Sequence, residues 1–190
     1  MSTIRFYEKS WLIHHHAARR SSLSSGGISV MNQIGRFIND SHRLYSTKMD
    51  FVFCYFRQDN KFPNRVFGGA SRTIKNPKAC SLDSFAYLHP KVNEQNTRIP
   101  FTWELEKTEP EDLFELEAFY QLKSNGLMLR ALDLNPKQNN LKEISQQFKK
   151  LGLKRNRYLY SLKKDGSLKA IIMINNSDVG INLSDLTNST

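Results

Sequence analysis

Two β-rich runs joined by a tight polar turn, Arg157–Leu162 and Ser167–Ile174, constrain this chain more than any other feature. Asp165-Gly166 at the tip supplies the positive φ angles that a two-residue hairpin turn requires. A similar pattern occurs earlier, where Asp50–Arg57 and Arg65–Ile74 flank the polar stretch Gln58–Asn64 and read as a second hairpin. Helical sequence precedes each pair. Met31, Ile34, Phe37 and Ile38 form an apolar stripe in a helix over about 28–45, and Leu141, Ile144, Phe148 and Leu151 do so over 139–151. The expected fold is α/β in the broad sense (α+β), a mixed and mainly antiparallel sheet with helices packed on it. It divides into two helix-plus-hairpin units, a basic one over 1–106 and another over 107–190. The second unit ends soon after its hairpin, which suggests a compacted unit or a piece of a longer protein.

Boundary signals sharpen the second unit. Thr108 followed by Glu111 has the form of a capping box, and Pro110 falls in the first turn, where it forfeits no helical hydrogen bond. A helix over 109–123 follows. Glu111, Asp112, Glu115 and Glu117 crowd its start, where the positive end of the helix dipole favours carboxylates. Asn125-Gly126 ends that helix, and Gly152 caps the next beside Lys149, Lys150 and Lys154. Ile99–Leu105 alternates as a strand, which Pro100 confines to an edge or a strand start.

At 190 residues, with 39% hydrophobic and 24% charged residues, the composition is that of a globular protein. The sequence has no apolar run long enough to span a bilayer, and its start lacks the apolar stretch of a secretion signal, so a cytoplasmic location is expected. Cys54 and Cys80, without CxxC spacing, read as free thiols. The net charge of +10 lies almost wholly in residues 1–100. Such a field selects anionic partners, a coenzyme or nucleotide phosphate among them. Zinc-finger spacing and the RNA-recognition aromatic motif are both missing, which argues against sequence-specific nucleic-acid binding. A missing domain or a protein partner is a further expectation.

His14, His15 and His16 are the most conspicuous polar cluster. Neighbours in a strand face opposite ways, so only His14 and His16 could share a face, and a zinc site would need another ligand. No metal is expected. His16 is the candidate general base.

Arg65, Gly68 and Ala70 match the Arg-x-x-Gly-x-Ala form of a phosphate-binding signature, with Gly69 between them. The stretch resembles that of the GNAT acyltransferase superfamily, whose domain also opens with helices and a hairpin. The resemblance implies that backbone N–H groups at Arg65, Gly68, Gly69 and Ala70 hold the pyrophosphate of acetyl-CoA or another acyl-CoA. The implied activity is acyl transfer to an amine or hydroxyl. A rival match, Asn175, Ser177 and Gly180, resembles the Asn-x-Ser-x-x-Gly part of PilZ domains, which bind cyclic di-GMP and also need a spaced arginine pair. The nearest arginines, Arg155 and Arg157, have a different spacing. Three function classes stay open: an acyl-CoA-dependent transferase or its descendant, a nucleotide- or anion-binding regulatory module, and a non-catalytic interaction domain.

Overall fold

A computed structural model describes residues 2–14, 26–88, 99–136 and 141–178. It is mixed α+β, with two three-stranded sheets. In the first, β1 (Ser2–Tyr7) and β2 (Ser10–His14) form an antiparallel hairpin, and β3 (Phe51–Phe53) lies parallel to β2. Helix α1 (Gly26–Ser41) connects β2 to β3. Met31, Ile34 and Ile38 are half-buried as their spacing predicts, whereas Phe37, expected on the same stripe, is exposed. Phe37 stacks edge-on to Trp11 of β2 with ring centroids 6.1 Å apart, and the Trp11 indole N–H donates to the Thr47 carbonyl at 3.0 Å.

The second sheet is an antiparallel meander of β4 (Trp103–Lys107), β5 (Arg155–Lys164) and β6 (Ser167–Ser177). Lys164 pairs with Ser167 across the expected two-residue turn, where Asp165 and Gly166 have φ of 50° and 76°. The later hairpin is therefore as the sequence predicts. Between β4 and β5 run α4 (Pro110–Ser124), α5 (Leu127–Ala131) and α6 (Leu141–Lys150).

The earlier hairpin is not formed as expected. Arg65–Ile74 is helical: a first turn, α2 (Lys61–Pro63), runs through a π-helical segment (Asn64–Gly68) into α3 (Gly69–Ile74). Within the run only Pro63 and Gly68 are buried, and no clear helical stripe marks it in the sequence. Pro63 has its φ pre-set for a helix, and Phe67 packs on Phe56 with centroids 6.0 Å apart. The hairpin of this sheet is instead β1–β2, whose alternation at Thr3-Ile4-Arg5-Phe6 is short.

One buried cluster draws on both segments of the chain. Phe6, Tyr7 and Leu12 from the first sheet meet Ile144 and Phe148 of α6, with Phe53, Tyr55, Leu132 and Leu153 around them. Leu151, predicted to share that face, is 75% exposed because the helix ends at Lys150 and Gly152 turns the chain away with φ of 73°. The start of α4 forms a second anchor. Its capping box uses Glu109 and Asp112, one residue later than predicted, with Pro110 at the first helical position. Asp112 points inward while Glu111 and Glu115 stay exposed.

Candidate functional site

The predicted phosphate-binding residues lie on the helical run 61–74. Arg65 and Ala70 are exposed, Gly69 is half-buried and Gly68 is buried. Each glycine has its own surroundings. A Cβ on Gly68 would lie 2.7 Å from Asn64 Oδ1 and 3.1 Å from Arg72 Nη1, because the Arg72 side chain folds back to donate to the Asn64 carbonyl at 3.2 Å. Gly68 thus makes room for packing within the helix. A Cβ on Gly69 would meet nothing within 4 Å, leaving bare backbone beside solvent. The Gly69 N–H, expected from the resemblance to hold a pyrophosphate, is instead engaged by the Asn64 and Val66 carbonyls within the helix. π-Helical segments of this kind recur at functional sites.

Charge distinguishes this face. Residues 60–82 contain Lys61, Arg65, Arg72, Lys75 and Lys78 and no acidic residue, and all five cations are exposed. Lys75 ends α3 in the left-handed conformation with φ of 50°, which turns the chain so that Lys78 follows on the same segment. Five cations on one short stretch without a carboxylate raise the local concentration of anions.

His16 lies outside the described residues. His14 ends β2 and is 5% exposed, so it belongs to the interior. Cys54 and Cys80 are free thiols, and burial together with the neighbouring Cys80 pushes the Cys54 thiol up to about 12, which keeps it protonated and unreactive at neutral pH. Among the described residues no group of three His, Cys, Asp or Glu side chains could hold a metal ion. No described helix is long and apolar enough to cross a membrane. Comparison of the chain with protein-family models, with curated proteins and with solved structures finds no match.

A second constellation joins Arg155, Arg157 and Asn175 of the rival match to Phe6, Tyr7 and Asp133, which sequence reasoning did not bring to them, and sits where the two sheets meet. Antiparallel pairing sets Arg157 opposite Asn175 and Arg155 opposite Ser177. The Arg155 guanidinium lies 4.6 Å from the Phe6 ring centroid and 5.2 Å from that of Tyr7, and Arg157 stands 5.2 Å from Tyr7. Asp133 provides nearby negative charge, but its Oδ2 accepts the Glu8 N–H at 2.6 Å. Glu8 itself is taken by Arg5 at 2.6 Å and Lys48 at 2.7 Å. Among the described residues Arg155 Nε and Nη2, and Arg157 Nε, Nη1 and Nη2, have no hydrogen-bond partner although they are shielded from solvent. Burial lowers both arginine pKa values, that of Arg155 to about 10, and raises that of the Tyr7 hydroxyl against the opposing pull of the two cations. Ring contacts of this kind are worth about 0.5–2 kcal/mol each, whereas shielding an unpaired charge costs several. The rings do not balance the cost.

Proposed function

We propose that the protein binds an acyl-CoA or a related anionic coenzyme on the face formed by Lys61–Lys78 and acts as an acyltransferase or a descendant of one. The observation that carries this reading is the run of five exposed cations, Lys61, Arg65, Arg72, Lys75 and Lys78, without a carboxylate between them, on the segment where Gly69 leaves open space. Guanidinium groups match phosphate oxygens, and a glycine permits an extended polyphosphate to lie close to the helix. The resemblance of Arg65–Ala70 to the acyltransferase signature points to the same ligand. In the transfer step an acceptor amine or hydroxyl attacks the thioester carbonyl. The new C–N or C–O bond forms as the C–S bond breaks, coenzyme A leaves, and the acceptor's proton passes to a base, for which His16 is the candidate. The protein's contribution is mainly to hold both reactants in register.

Calorimetric titration with coenzyme A, acetyl-CoA and cyclic di-GMP tests it. Coenzyme binding is expected, weakened in Arg65→Ala with a shallower dependence on salt, because salt screens the exposed charge term. Gly69→Val is expected to abolish binding while the protein stays folded, since the new side chain enters open space. Equal coenzyme affinity in parent and both variants would remove this face as the site. Binding of the dinucleotide alone would replace the transferase by a regulatory module.

A further inference from the structure

From the geometry at the junction of the two sheets we infer that Arg155 and Arg157 form a second, separate binding site, for the phosphate group of a small hydroxylated molecule such as a sugar phosphate or nucleotide. Each guanidinium offers its Nε together with at least one Nη, the side-on fork that takes two oxygens of one phosphate. Two forks on alternate residues of one strand face suit a tetrahedral oxyanion. Asn175 narrows the class further. It is hydrogen-bonded to Tyr7, yet its Oδ1 is shielded and without a donor among the described residues. An acceptor beside two cationic forks calls for a ligand that carries a hydroxyl or N–H next to its phosphate.

An open groove beside α6 borders Arg155, while Arg157 lies outside the groove lining. Arg155, itself only 2% exposed, lines an open groove of about 590 Å³ together with Ser145, Gln146, Lys149, Lys154 and Asn156. Lys149 and Lys154 add positive charge at the mouth. Asp178 also borders the groove, where its Oδ2 accepts the Lys154 N–H at 2.6 Å. The Arg155 guanidinium contacts the Phe6 and Tyr7 rings and that of Arg157 the Tyr7 ring, so both groups are positioned by aromatic side chains of β1 before a ligand arrives.

Thermal unfolding of the whole chain at constant ionic strength, in chloride, inorganic phosphate, ribose 5-phosphate and a nucleoside monophosphate, tests the site. Phosphate is expected to raise the midpoint in the parent, since a ligand at a hundred times its dissociation constant shifts the folding equilibrium about a hundredfold. A larger shift with the esters identifies an ester as the ligand, and an equal shift identifies free phosphate. Arg157→Met is expected to be more stable than the parent without phosphate and to lose the response, because it removes an unpaired charge and one fork. Arg157→Lys keeps the charge, guards against a failure of the first variant to fold, and is expected to bind about tenfold more weakly. Arg65→Ala should respond as the parent does, which separates this site from the coenzyme face. No phosphate response in the parent, or the same response in parent and Arg157→Met, would overturn the assignment.

Discussion

Phe148→Ala is expected to lower the free energy of unfolding by about 3–5 kcal/mol, the usual cost of deleting a buried aromatic ring and leaving a cavity. The ring is 6% exposed on the inner face of α6, in the cluster with Ile144, Phe6, Tyr7 and Leu12. Its loss is felt on both sides, because the first sheet and the helix share this core. The main chain is committed there too, since the Phe148 carbonyl accepts from the N–H groups of Leu151 and Leu153, which carries the chain round into β5. Urea unfolding should show a lower midpoint with the slope unchanged. Leu151→Ala, one turn on but exposed, should stay within about 0.5 kcal/mol of the parent. A loss below about 1 kcal/mol for Phe148→Ala would mean that α6 does not pack on the first sheet as described.

Asp112→Ala is expected to cost about 2–4 kcal/mol at neutral pH, because one carboxylate serves a helix cap and a buried hydroxyl at once. Its Oδ2 accepts from the Glu109 N–H at 3.1 Å and from Ser161 Oγ at 2.7 Å, and its Oδ1 lies 3.1 Å from Lys163 Nζ. Ser161 is fully buried, and without Asp112 its hydroxyl keeps, among the described residues, Thr108 Oγ1 at 3.1 Å. Burial by itself would raise the Asp112 pKa. The hydrogen bonds from Ser161 and the Glu109 N–H, with Lys163 beside them, outweigh burial and hold it below the ordinary carboxylate value. A group whose folded pKa is depressed adds stability above its unfolded pKa and loses it as the pH falls through the folded one. The gap between parent and variant should therefore be complete at neutral pH and shrink below about pH 4. A gap that stays constant down to pH 2 would contradict the carboxylate's role.

Local chemistry made much of the second segment legible. The Asp165-Gly166 turn, the proline-led entry of α4 and the glycine at the end of α6 each act within a few residues, so they are readable wherever they occur. The end of α4 at Asn125-Gly126 is of the same kind, both residues being left-handed with φ of 59° and 65°. Charge was legible as well, because the excess of cations is a property of the list of residues and its placement along the chain.

The sequence by itself determined the hairpin of the second sheet, the approximate limits of its helices, the thiol state of the cysteines and the excess of positive charge in the first half. Only the tertiary structure decided that Arg65–Ile74 is helix, since Val66, Phe67, Thr73 and Ile74 suit a strand locally and the packing of Phe67 on Phe56 selects the other state. It also decided which polar residues meet. Tyr7 and Arg157 lie far apart in sequence, and no local rule brings them together. Burial of the Phe6, Tyr7 and Phe148 side chains draws β1 onto α6 and β5, and in doing so leaves two guanidinium groups shielded with donors unspent. Hydrophobic burial is indifferent to direction and distance along the chain, whereas hydrogen bonds and charges are specific, so the site was settled by the packing of neighbours that carry no chemistry of their own.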